Sequence, residues 1–195
     1  MSLSVRTIYV LFILAVVSAC AAVIVPLENK YANDPNEKAS RGEITGLGAL
    51  SLFRAANAAK ALDAVRAQSP AESVVQDLTI RPTRLNMTVA DPSDGSERDW
   101  TVGPDLKASG DPKSDASSDH GSTFRQFDMT VPERMTRAVL TDLKRPESDI
   151  DYIVASIPSS NDEKMEWILY LQHGRIRDRI WRANADGSDL RRNGT

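Results

Sequence analysis

Apolar and polar positions along this chain fall into three regimes. Residues 8–27 read IYVLFILAVVSACAAVIVPL, 20 residues with no charged side chain and Ser18 as the one strong polar break. At about 1.5 Å rise per residue, such a helix spans about 30 Å, the thickness of a bilayer's hydrocarbon core. Residues 28–48 are polar, with scattered charge and three glycines, and predict a stalk. Beyond them, helical and strand periodicities alternate. Leu52, Ala55, Ala59, Leu62 and Val65 recur at helical spacing in an alanine-rich stretch. Three strand-like runs follow at 74–80, 85–90 and 99–102, punctuated by Arg81-Pro82 and by Asp91-Pro92-Ser93-Asp94-Gly95.

Residues 103–122 are dominated by serine, glycine, proline and aspartate, a composition that buries too little apolar surface to order itself. They predict a flexible linker. After it, Thr130-Val131-Pro132-Glu133 matches a capping box with proline in the first turn, ahead of Met135, Ala138, Val139 and Leu143. Strand-like runs then occupy 150–157, 165–172 and 175–183. In the middle run Trp167, Leu169 and Leu171 share one face, and Ile168 and Tyr170 the other, which suits a central strand. The order helix, strand, strand, strand occurs twice. The predicted fold class is therefore α+β: an N-terminal transmembrane helix followed by two αβββ repeats with antiparallel sheet, at 49–102 and 123–195.

The apolar run admits three readings: a membrane anchor at 1–27, a lipoprotein signal acylated on Cys20 within Val17-Ser18-Ala19-Cys20, or a cleaved secretion signal. Hydrophobicity resumes after Cys20 and continues to Pro26, which favours the anchor. Arg6 and the short N-terminus predict a single-pass protein of the cell membrane, N-terminus cytoplasmic and residues 28–195 extracytoplasmic. All 27 acidic residues and 23 of the 24 basic ones lie after residue 27, so that part is near neutral and lacks the basic stripe of a nucleic-acid binder. The single cysteine lies inside the apolar run, so no disulfide is expected in the remainder.

Taken with Phe127-Asp128, Pro132-Glu133-Arg134, Ala138-Val139-Leu140, 149–154, 167–171 and 185–189, the tandem order resembles the PepSY-like and β-lactamase-inhibitor-protein-like modules of bacterial envelope proteins. The resemblance covers roughly residues 50–190. It implies a binding or inhibitory module rather than an enzyme, with an envelope protein or a cell-wall component as partner.

Chemistry-bearing residues are sparse. His120 falls in the linker and His173 in a His-Gly turn, so each is either a general base or a solvated turn residue. Asp149 and Asp151 are two apart, as a proton-donating pair would need, and they equally suit a loop and strand edge in water. Asp111, Asp115 and Asp119 recur every four residues without the alternation of a calcium loop. No nucleophile elbow, phosphate-binding loop or dinucleotide glycine pattern occurs, and neither a cofactor nor a metal is expected. One basic cluster stands out. Arg175, Arg177 and Arg179 alternate along the predicted last strand, with Trp181 in the same row and Arg182, Arg191 and Arg192 beyond. Arginine beside an aromatic grips anions, and charges on an edge strand also block unwanted pairing. This row is the candidate binding surface of a non-catalytic module. The alternatives are an envelope hydrolase using carboxylates and a passive spacer.

Overall fold

The computed structural model describes residues 33–113, 121–157 and 164–193, with Ile176 and Arg177 described by backbone alone. Its framework is one sheet of nine strands: β1 (Val74–Arg81), β2 (Arg84–Ala90), β3 (Glu97–Val102), β4 (Ala108–Lys113), β5 (Ser122–Thr123), β6 (Ile150–Ser156), β7 (Glu166–Leu171), β8 (Ile180–Asn184) and β9 (Arg191–Arg192). Their order across the sheet is β4-β3-β2-β1-β6-β7-β8-β9, with β5 paired to the start of β1. Every pairing is antiparallel, including that of β1 with β6, which joins the two halves at the centre.

Helices are few. In α1 (Pro35–Ser40), Asp34 caps the first turn by accepting from the backbone N–H of Asn36 and Glu37. Helix α2 (Ala55–Arg66) buries Ala58, Ala61, Leu62 and Val65, and α3 (Val131–Leu143) buries Val131, Met135, Val139 and Leu140. These stripes cover one sheet face, where Leu85, Ile80, Ile153, Leu169 and Trp181 form a buried row across β2, β1, β6, β7 and β8. A four-residue helix, α4 (Ile176–Arg179), precedes β8.

Several expectations are corrected. The predicted plan, a transmembrane helix followed by two αβββ repeats, gives way to a mostly antiparallel nine-stranded sheet with few helices. Among the described residues no helix is long and apolar enough to cross a membrane, so the single-pass location and the anchor lack support. The apolar run 8–27, with Cys20, lies outside the described residues.

The stalk does not extend to residue 48. Ile44, Leu47, Leu52 and Phe53 are buried, and Leu52 donates its N–H to Pro82 O at 2.8 Å. Nor is 103–122 wholly a linker, because Ala108–Lys113 is strand β4. Trp100 draws it in: Gly110 lies against the indole, where an added Cβ would stand 2.6 Å from the ring. The capping box at Thr130 does not form, since Thr130 is helical in φ and ψ and its side chain makes no cap bond. A capping box forms instead between Thr123 and Gln126, around a short 3-10 turn.

Candidate binding face of the sheet

Among the described residues, the face opposite α2 and α3 is partly exposed, with Thr79, Val154 and Tyr170 half-buried. One row crosses all eight strands of the main path: Ser109, Thr101, Asn86, Thr79, Val154, Ile168, Arg182 and Arg191. Strand alternation puts these side chains on the side away from the buried row. A bulge in β1 between Val75 and Asp77 brings Asp77 onto the open face, opposite Thr88.

Both halves of this face carry charges of both signs. On the β1–β4 side, Asp77, Thr88, Asp99 and Asp111 stand in register, and the same face carries Arg81, Arg84 and Lys113. Thr88 Oγ1 donates to Asp99 at 2.7 Å. Partial burial pushes the Asp77 carboxyl up and the charge of Asp99 adds to this, while a bond from Thr79 and the charge of Lys113 oppose it. Lys113 Nζ reaches Glu97 at 3.2 Å.

On the β6–β9 side the charges are paired closely. Arg182 and Arg191 both pair with Glu166, Arg182 at 3.0 Å. Burial pushes the Glu166 carboxyl up, but the two guanidiniums together hold it below the usual range. Tyr152 and Tyr170 stack with centroids 4.4 Å apart, and Arg81 lies over the Tyr152 ring at 4.7 Å. Burial raises the Tyr152 phenol, with Tyr170 and Asp151 adding, while Arg81 and Arg179 oppose. Ile180 continues the tyrosine row. Half-buried apolar groups rimmed by arginine make a surface suited to an anionic partner with some apolar character.

The residues singled out in the sequence separate. The predicted strand 175–183 begins only at Ile180, because α4 occupies 176–179, so Arg175, Arg177 and Arg179 do not alternate along a strand. Arg175 is exposed, and its side chain makes no hydrogen bond or ion pair among the described residues. The side chain of Arg177 lies outside the described ones. Arg179 is exposed, and its Nε donates to Leu171 O at 3.2 Å.

Trp181 belongs to the opposite face, 6% exposed, its Nε1 donating to Asp178 O. Arg192 covers that indole at 4.9 Å and pairs with Asp142 at 2.8 Å. Arg182 and Arg191 are the members of the basic cluster that reach the open face. Sequence reasoning missed the Tyr152–Tyr170 stack and the Asp77–Asp99 row. Alternation within 97–102 and 150–156 could have placed each residue on a face, but not beside its neighbour on the next strand.

The carboxylate pair also parts. Asp151 pairs with Arg81 at 2.6 Å, while Asp149 turns inward, 6% exposed. Asp149 meets His173 Nδ1 at 2.7 Å and Arg145 Nη1 at 2.5 Å. Burial pushes the Asp149 carboxyl up, but the bonds from Arg145 and His173 hold it below the usual range. Arg145 also donates to His173 O, and Gln172 N–H donates to Asp149 O, so the cluster ties the start of β6 to the end of β7. The His173 side chain is 77% exposed, so its imidazole works in bulk water rather than in an enclosed site.

His120, Asp115 and Asp119 lie outside the described residues. Among the described residues no group of three or more His, Cys, Asp or Glu side chains is placed to hold a metal ion. No protein-family model, curated protein or solved structure matches this chain.

Proposed function

We propose that the chain is a non-catalytic interaction module, binding or inhibitory, whose contact surface is the open face of its sheet. One observation carries the reading: among the described residues, helices α2 and α3 cover one face of the sheet, and the other presents the stacked Tyr152 and Tyr170 with Ile180 beside Arg81, Arg182 and Arg191. Aromatic side chains and arginine are the residues that most often anchor protein interfaces. The partner class is an anionic protein surface. A hydrolase reading finds less support, because Asp149 and Asp151 serve different arginines and His173 stands in open water.

A photo-crosslinking amino acid at position 170 tests this, with one at Arg137 on the exposed side of α3 as the control. Adducts formed from position 170 and absent from position 137 are the expected result. Adducts from position 137 alone, or from neither, would overturn the reading.

A further inference from the structure

We infer that His173 is a phosphoryl acceptor: Asp149 holds its imidazole with Nε2 unprotonated toward solvent, where it takes a phosphoryl group from a small activated phosphate. The inference does not depend on the reading of the open face as a contact surface. It starts from the tautomer. Arg145 Nη1 donates to Asp149 Oδ2 at 2.5 Å, and the carboxylate, ionised at neutral pH, can only accept. His173 Nδ1, 2.7 Å from Asp149 Oδ1, is therefore the donor. In a neutral imidazole the lone pair then lies on Nε2. An imidazole free in water favours the opposite tautomer, with the proton on Nε2.

The surroundings fix this arrangement. Asp149 is buried, Arg145 also donates to His173 O, and Gln172 N–H donates to Asp149 O at 2.9 Å. Gly174 has φ +114, and an added Cβ would stand 2.7 Å from Arg145 Nη2. Glycine is thus required there both by the backbone and by the close guanidinium. The imidazole itself is exposed, so a small donor reaches Nε2 directly.

The charges around the ring suit an anionic group. Asp149 is matched by Arg145. The neighbouring carboxylates are engaged elsewhere: Glu147 accepts from Leu47 N–H, Asp151 pairs with Arg81 and Asp178 with Arg192. Arg175, two residues beyond His173, is exposed and makes no hydrogen bond or ion pair among the described residues. Two residues of chain span at most about 7 Å, so its guanidinium is within reach of a group on the imidazole. Guanidinium matches phosphoryl oxygens in geometry and charge.

With a phosphoramidate as donor, the Nε2 lone pair attacks phosphorus and a nitrogen–phosphorus bond forms. The donor's own phosphorus–nitrogen bond breaks, and its protonated nitrogen leaves as ammonia. Nδ1 keeps its proton, and the Asp149 carboxylate stabilises the positive charge that the ring gains.

The test uses the full chain carrying His120→Gln, which leaves His173 as its single histidine. It is incubated with phosphoramidate at about pH 8, where an ordinary imidazole is neutral. Intact mass and peptide mapping follow the transfer, with Asp149→Asn and His173→Gln as variants and circular dichroism melts to establish that each folds. In Asp149→Asn, Arg145 can only donate and so claims the amide oxygen. The amide NH₂ then faces His173, donates to Nδ1 and moves the ring proton to Nε2.

One phosphoryl group on His173 is expected, with transfer at least ~tenfold slower in Asp149→Asn and none in His173→Gln. Nitrogen-15 NMR of the wild-type ring, which needs no variant to fold, should show the proton on Nδ1. A ring protonated on Nε2, no transfer to His173, undiminished transfer in a folded Asp149→Asn, or an adduct that survives His173→Gln would each overturn the inference.

Discussion

Glu133 sits in the first turn of α3, yet its carboxylate caps another helix. Its Oε2 accepts from the Ala55 N–H at 2.8 Å, at the start of α2, where the capping residue Arg54 supplies no side-chain bond of its own. Its Oε1 accepts from Arg137 Nη2 at 2.7 Å and lies 3.5 Å from Arg54 Nη1. With the side chain 19% exposed, these contacts are partly shielded from water.

Glu133→Ala removes a cap bond worth about 1 kcal/mol, a favourable charge at a helix N-terminus worth about 0.5 kcal/mol and a helical ion pair worth about 0.3 kcal/mol. The expected loss is therefore about 1.5–2 kcal/mol, and Glu133→Gln, which keeps an acceptor without the charge, should lose about half of that. Urea unfolding at neutral pH, with an unchanged slope, reads this as a lower midpoint.

The pH dependence has a definite sign. The backbone bond from Ala55, then the bond from Arg137, hold the Glu133 carboxyl below its usual range. A depressed carboxyl contributes stability that is fully present above its unfolded-state value of about 4.3 and is lost as pH falls through the folded-state value. The gap between wild type and Glu133→Ala should therefore close in acid. A gap under about 0.5 kcal/mol at neutral pH, or one that persists in full below the folded-state value, would refute the assignment of a cross-helix cap.

Two further changes probe the same framework. Asp149→Asn should cost about 1–3 kcal/mol at neutral pH, because Arg145 loses a charged partner in a half-buried site. Its carboxyl is also depressed, so the cost should shrink as pH falls through the folded-state value, and chemical denaturation at two pH values checks it. Gly46→Ala should destabilise by about 1–3 kcal/mol or more. Gly46 has φ +47, and an added Cβ would collide with the Cβ of Glu147, whose carboxylate accepts from Leu47 N–H. Thermal melting, with a shift of about 2–4 °C per kcal/mol, reads it.

The sequence by itself determined what depends on neighbours along the chain. Spacing of three and four residues marks the stretches that α2 and α3 occupy, and runs of β-branched residues between Pro, Gly and Asp clusters mark the strands of each hairpin. Those signals are local because helix and hairpin hydrogen bonds close within a few residues.

The tertiary structure decided everything set by distant partners. ASGDPK has little strand propensity, yet it becomes β4 because Trp100 on β3 needs cover that Gly110 can supply at close range. Residues 44–53 join the core because Pro82 and Glu147 bind their backbone from 30 and 100 residues away. Asp149 and His173 meet across 24 residues, and Trp181 parts from the arginines because α4 turns the chain before β8 begins. The joining of the two halves into one face follows from the pairing of β1 with β6. That register is set by burying Leu78, Ile80, Ile153 and Ala155 together, an energy gained only once the two halves have met.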